Sequence, residues 1–227
     1  NLIGNPYLSF VDVESLIASN TSVLNDANNA IYLWDAFNSE YKVLNYLSTS
    51  YLSPGQGFFV NANQNGGDFL FDESMQSHQT EDWFERSSNI SSLKLNAEFT
   101  SFKKSTTEIM FVGGLSMELD PGFDAGRFPF GNDDFYIFTS LINGSDSLEL
   151  SLQCFPEIHE FELENIPLGI SVVEDTEVKF ELEKSVFVDE KNIYIRDAIT
   201  GTQARLDVNG TSYTTYVNAD EPSLGRF

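Results

Sequence analysis

Glu177-Val178-Lys179-Phe180-Glu181-Leu182-Glu183 decides how the chain is read. Charged and apolar residues alternate one for one. Side chains of a strand point to opposite faces with a period of two, so this stretch predicts a strand with one face on a core and one in water. Leu93, Leu95, Ala97 and Phe99 repeat the period. Phe135-Tyr136-Ile137-Phe138 is a continuous apolar run, as expected of a strand covered on both faces. Short β-branched and aromatic runs recur upstream. They are Ala30-Ile31-Tyr32-Leu33-Trp34, Tyr41-Lys42-Val43-Leu44, Phe58-Phe59-Val60 and Phe69-Leu70-Phe71. Turn residues separate them, as at Pro54-Gly55-Gln56-Gly57 and Asn65-Gly66-Gly67. Many short strands spaced about 8–12 residues apart predict a β-sandwich.

A Ser- and Asn-rich stretch, Ser87-Ser88-Asn89-Ile90-Ser91-Ser92, suggests a boundary. The expected organisation is two tandem, jelly-roll-like β-sandwich modules, residues 1–86 and 87–227, in an all-β chain. At most one or two short helices are expected. One follows Asp12, which is placed to cap residues 13–19, with Leu16 and Ile17 facing inward. Asp197-Ala198-Ile199-Thr200-Gly201 reads as a hairpin connection. Asn209-Gly210 is the strongest short hairpin signal, joining Leu206-Asp207-Val208 to Ser212-Tyr213-Thr214.

The chain has 227 residues, with 12 Lys+Arg against 35 Asp+Glu, for a formal charge of −23. Phosphate and anionic lipid surfaces attract basic proteins, so this charge argues against nucleic acid or a membrane surface as a direct partner. Aromatics make up 14% of the chain, which separates it from disordered acidic sequences and supplies a core. From Glu157 to Glu183 nine acids face one lysine. The alternation there favours solvent faces of strands over a cation-binding surface, and like charges on outer faces discourage edge-to-edge pairing. No apolar run has the length of a membrane helix.

Cys154 is the single cysteine, and Leu152 and Phe155 beside it predict a buried thiol. His78 and His159 are the only histidines and form no metal or catalytic motif. Asp120, Asp124, Asp133 and Asp134 lie in the Gly/Pro-rich stretch 119–134. Two readings fit them: a calcium loop of oxygen ligands, or a solvated loop in which Asp caps turns. The spacing is not that of an EF-hand. Tyr32, Trp34 and Tyr41 are candidates for a glycan-stacking platform, with Asp35, Asn38 and Asn61 as hydroxyl partners and Tyr46, Tyr51 and Trp83 as further aromatics. The competing reading is core, since one face of each strand in a sandwich is buried. Asp146-Ser147-Leu148 fits the short Asp-Ser/Thr-apolar pattern of bacterial O-glycan attachment, with Ser147 as acceptor.

Several motifs combine into a recognisable order. Asn1-Leu2-Ile3-Gly4-Asn5-Pro6-Tyr7 resembles a WNLIGNPYPS opening, with Leu8 where that pattern has a second proline. Ile31-Tyr32-Leu33-Trp34-Asp35 matches IYxWD, and Leu52 to Val60 matches IxPGQGFFV. His78 matches a histidine near the end of that module. Gly122-Phe123-Asp124 partly meets GFDxxxDA, and Ile166-Pro167-Leu168-Gly169-Ile170 meets VPLGF. Ile195 to Leu206 meets LxDxxTGxxxxL, and Ser212-Tyr213 and Arg226-Phe227 meet the ends of a SYxF…RFxL pattern. In this order and spacing the chain resembles the β-rich region that precedes the type IX secretion sorting domain in secreted multidomain proteins of Bacteroidota-type bacteria.

That resemblance implies export, an extracellular or outer-surface location, and no activity of its own. The chain is expected to be a fragment whose neighbours in the longer protein carry the activity and the sorting signal. The expected role is a non-catalytic spacer or assembly region, without a cofactor unless calcium is bound. The alternative is a carbohydrate-binding or adhesive module. Expected partners are the adjoining domains of the same chain, with self-assembly or an extracellular glycan as further candidates. Phe227 is expected to begin a strand paired with residues 212–217.

Overall fold

In a computed structural model, residues 1–36, 40–78, 90–100, 103–128, 134–141, 148–157, 165–187 and 192–227 are described. They form two compact units. One comprises Asn1–Ser88 with Leu119–Phe128, and the other Asn89–Glu118 with Pro129–Phe227. The division after Ser88 lies two residues from the expected boundary. A contiguous second module does not form, because the chain returns to the first unit for residues 119–128.

The first unit starts with strands β1 (Leu2–Gly4) and β2 (Phe10–Asp12) and turns directly into helix α1 (Val13–Asn20). Asp12 caps α1 as expected: its Oδ1 accepts from Ser15 N at 2.8 Å. Val13, Leu16, Ile17 and Asn20 form the buried face. Then follow β3 (Ile31–Asp35), β4 (Glu40–Leu44), β5 (Tyr51–Leu52), β6 (Gly57–Phe59) and β7 (Gln76–Ser77). One sheet runs β1-β6-β3-β4 and a second β5-β2-β7. Both contribute to one core with α1: Val11, Leu16, Ile17, Ile31, Leu44, Leu52 and Phe58 are essentially fully buried. Each such side chain contributes roughly 1.5–3 kcal/mol relative to exposure. Phe69-Leu70-Phe71 packs its phenylalanines on this core without forming the expected strand.

The second unit opens with the long hairpin β8 (Ser91–Phe99) and β9 (Lys104–Phe111). The returning segment carries the short β10 (Ala125–Gly126) of the first unit. The chain continues with β11 (Phe135–Thr139), β12 (Leu150–Phe155), β13 (Leu168–Val172), β14 (Thr176–Val186), β15 (Tyr194–Asp197), β16 (Thr202–Arg205) and β17 (Tyr213–Val217). Seven of these hydrogen-bond in the order β13-β11-β12-β9-β8-β14-β17. The β12–β9 pair is parallel. The sheet bends on itself: Phe99 of β8 and Phe135 of β11 bring their rings within 5.2 Å. Leu95, Ala97, Val178 and Phe180 thus share a core with Ile137, Leu168 and Ile170. Val178 and Phe180 are fully buried while Glu177 and Glu183 are exposed, so the alternation that predicted this strand is realised. Cys154 is buried. Gly169 lies opposite Phe138, and a Cβ there would run into the Phe138 ring.

Two connections differ from the sequence reading. Asn209-Gly210 makes a turn, with Thr211 N donating to Val208 O at 3.0 Å, but not a hairpin. β16 pairs with β15, and β17 pairs with β14. Leu206 turns into the core instead, and Asp207 accepts from Ile193 N at 2.8 Å. Phe227 does not pair with 212–217. Its carbonyl accepts from Leu168 N at 3.1 Å, and Ser223 O accepts from Ile170 N at 2.7 Å, so the last residues line the edge of β13. The Phe227 ring packs 4.9 Å from that of Phe180.

A buried ion pair joins these ends. Asp197 is fully buried and Arg226 is 6% exposed. Arg226 Nη2 donates to Asp197 Oδ2 at 2.9 Å and Nε to Oδ1 at 3.2 Å. Tyr213 Oη donates to Oδ2 at 2.8 Å, and the amides of Ile199 and Thr200 donate to Oδ1. Arg226 also reaches Glu221 and Thr215 Oγ1. Burial pushes the Asp197 carboxyl up, but the Arg226, Tyr213 and Thr200 hydrogen bonds outweigh it and hold it well below the usual carboxylate range.

Removing one partner of a buried pair strands the other charge. Asp197→Ala and Arg226→Ala are each expected to lower stability by about 3–5 kcal/mol, read by urea denaturation, with strong coupling in the double variant. The carboxyl is depressed only in the fold, so its contribution is complete above the unfolded value of about 3.9 and is lost as pH falls further toward the folded value. The acid branch of a stability–pH profile is therefore expected to flatten in Asp197→Asn relative to the parent protein.

Candidate functional site

The aromatic candidates sit on the hairpin β3–β4, where Tyr32 faces Val43 and Trp34 faces Tyr41. The period of two places Tyr32, Trp34, Tyr41 and Val43 on one face of the sheet. Tyr32 is not a surface residue. It is fully buried, and its hydroxyl donates to Gly126 O at 2.8 Å and accepts from Asn28 Nδ2 at 3.0 Å. Burial pushes its hydroxyl pKa well up, against a smaller opposing effect of Asn28. The cover is Phe128, from the returning segment, whose ring lies 4.7 Å from Tyr32 and 4.8 Å from Tyr41. Phe59 adds a further ring, 5.6 Å from Tyr41 and 5.5 Å from Phe128.

Trp34 remains 49% exposed. It meets half-buried Tyr41 at 5.1 Å and 61°, edge to face. A pyranose lies flat on one ring face or across coplanar rings. This geometry offers one exposed indole beside a Tyr edge, so of the three predicted platform residues only Trp34 presents a large free surface. Phe59 and Phe128 are members of the cluster that sequence reasoning missed. The FF pair of the PGQGFFV motif was a signal for Phe59; nothing local marks Phe128.

The acidic candidates separate. Asp124 is fully buried, and its Oδ2 accepts from Asp120 N at 2.7 Å while its own amide donates to Asp120 O at 2.9 Å. This is a carboxylate closing its own loop. Asn45 Nδ2 donates to Phe123 O at 2.7 Å, and Tyr46 N donates to Gly122 O at 2.9 Å, tying the loop into the first unit. Gly122 is required here: its φ is positive, and a Cβ would fall inside the Tyr46 ring. Asp134 belongs to the second unit and pairs with Lys103 at 2.9 Å. Asp133, Ser147, Asn38, Trp83 and His159 lie outside the described residues. Among the described residues, no group of three or more His, Cys, Asp or Glu side chains is placed to hold a metal ion.

The polar motif residues converge elsewhere. Asn5 is 4% exposed, and its Nδ2 faces Ser9 O, Leu52 O and Ser53 O at 2.9, 3.2 and 2.9 Å. Its Oδ1 accepts from Tyr7 N. Gln56 Oε1 accepts from Ser53 N at 2.8 Å, and Gln56 O accepts from Asn5 N at 3.0 Å. The NPY and PGQG motifs are thus the two halves of one clasp, continued by the pairing of Leu2 with Phe59. The Asp197, Thr200, Tyr213 and Arg226 network does the same for the second unit.

A bound cation would stabilise the native state by mass action. Melting in excess calcium and in EDTA is expected to give the same midpoint, because the Asp124 carboxylate already serves its own loop. A higher midpoint with calcium, lost on Asp124→Asn, would contradict this.

The family described as a domain of unknown function (DUF8693) matches residues 37–222. That stretch covers most of the chain and takes in parts of both units, including Tyr32's partner strand, Asp197 and Tyr213. No curated protein and no solved structure matches the chain. The chain belongs to this family of domains of unknown function, DUF8693.

Proposed function

We propose that the chain is a non-catalytic structural region of a secreted or surface-displayed bacterial protein, exported by type IX secretion and acting as a spacer or assembly unit. One observation carries this reading. Six polar residues of its motifs, Asn5, Gln56, Asp124, Asp197, Tyr213 and Arg226, direct their polar groups into the fold and not toward a cleft. Asn5 and Gln56 clamp backbone carbonyls and amides, Asp124 closes its own loop, and Asp197, Tyr213 and Arg226 satisfy one another. A site built for chemistry would place such groups at a concave surface open to substrate. Here they hold turns and chain ends. The resemblance to regions ahead of a sorting domain supports the extracellular location, and the acidic outer faces suit a protein that stays soluble there.

The second reading is a carbohydrate-binding module, and exposed Trp34 is what favours it. Affinity electrophoresis through gels cast with neutral and acidic polysaccharides separates the two. The spacer reading expects equal mobility with and without polysaccharide, and no difference between the parent protein and Trp34→Ala. Retardation that Trp34→Ala abolishes would establish glycan binding instead. In the full-length protein, Asp197→Ala is expected to reduce the amount displayed while leaving the activity per displayed molecule unchanged.

A further inference from the structure

We infer that Asn209 is a built-in site of spontaneous deamidation, and that the fold tolerates the product. In the reaction the Gly210 main-chain nitrogen attacks Asn209 Cγ. Ammonia leaves and a five-membered succinimide forms. Water then opens the ring at one carbonyl or the other, giving aspartate or isoaspartate, the latter with one extra methylene in the main chain. The step needs no oxidant or reductant. It is fastest where the following residue lacks a Cβ, its amide nitrogen is not held by a hydrogen bond and the Asn side chain has room to fold back.

The chain has three Asn-Gly pairs; Asn143-Gly144 lies outside the described residues, and the structure distinguishes the other two on these criteria. Asn209 and Gly210 are both exposed; a Cβ built on either Gly66 or Gly210 would meet nothing within 4 Å, so the hydrogen bonds decide between the pairs. Thr211 N, not Gly210 N, closes the turn onto Val208 O. Among the described residues neither Asn209 nor the Gly210 amide has a hydrogen-bond partner. Asn65-Gly66 is held. Gly66 N donates to Asn63 O at 3.1 Å, and Asn65 N donates to Asn63 Oδ1 at 3.0 Å. Asn63 is itself tied down, its Nδ2 donating to Ser22 O and its amide to Val23 O. The attacking nitrogen at Gly66 is therefore already engaged.

The tolerance follows from the topology. The Asn209-Gly210 turn joins β16 to β17, which pair with different strands, so no ladder runs across it. An added methylene or carboxylate in this loop breaks no register. In a true hairpin the same change would shift every following pair.

The test uses the full chain held in mildly alkaline heavy-oxygen water, followed by proteolysis in ordinary water and peptide mass analysis. In the folded protein, Asn209 is expected to convert several-fold faster than Asn65. In urea the two rates are expected to converge. Isoelectric focusing should show an acidic shift that Asn209→Gln reduces, and the melting midpoint should hold as Asn209 converts. Equal or faster conversion at Asn65 in the folded protein would overturn the assignment, as would an Asn209 that reacts only in urea. A midpoint that falls with conversion would overturn the tolerance.

Discussion

The second unit depends on a buried negative charge. A lone carboxylate at the position of Asp197 would cost several kcal/mol in lost hydration. That cost forces a cation to the same place, and the chain supplies Arg226, 29 residues further on. Bringing Arg226 in fixes the last residues along β13, where Ser223 O and Phe227 O accept from the strand. It also seats the Phe227 ring against Phe180. The carboxylate has acceptor capacity left over, and it is filled by the turn amides of Ile199 and Thr200 and by the Tyr213 hydroxyl of β17. One charge thereby sets the β15–β16 turn, the position of β17 and the end of the chain. An apolar pair of equal volume could be as stable. It would not specify which three segments meet.

The first unit reaches the same end with neutral groups. Asn5, Asn20 and Asn45 are nearly or fully buried, and each bonds main-chain atoms distant in sequence. An amide carries donors and an acceptor on one planar group, so it can stitch two loops without a counter-ion. Its desolvation cost is smaller than that of an ion, and each net bond contributes roughly 0.5–1.5 kcal/mol. Loops at 5–9, 45–48, 52–56 and 120–124 are thus pinned to a small core that has little regular structure between its strands.

Features governed by local pattern were legible in the sequence. The period-two alternation at 177–183, the Asp12 cap and the strand runs at 30–34 and 41–44 depend on neighbours within a few residues. What failed was non-local. Asn209-Gly210 carries the local chemistry of a hairpin, but Leu206 and Tyr213 are both pulled into the core and their strands find other partners. Tyr32 and Trp34 are identical in pattern, two apart on one face. Only the return of Phe128, 96 residues after Tyr32, buries the first and leaves the second in water. Asp120 and Asp134 lie close enough in sequence to look like one acidic loop, but the chain changes units between them.

These two modes of burial explain how a chain of charge −23 keeps its fold. The visible surface pairs, Lys94–Glu183, Lys103–Asp134, Lys179–Glu181 and Arg205–Asp207, involve partly exposed side chains and are worth at most about 1 kcal/mol each. They cannot offset so large a surplus. Acidic residues on outward strand positions have no need of an offset, because water hydrates them and salt screens them beyond about 8 Å. The surplus is therefore tolerable where it faces solvent. In the core an acid must be matched on the spot, as Asp197 is by Arg226 and Asp124 by its own loop amide. The charge that dominates the composition governs solubility, and the few buried polar groups govern which fold forms.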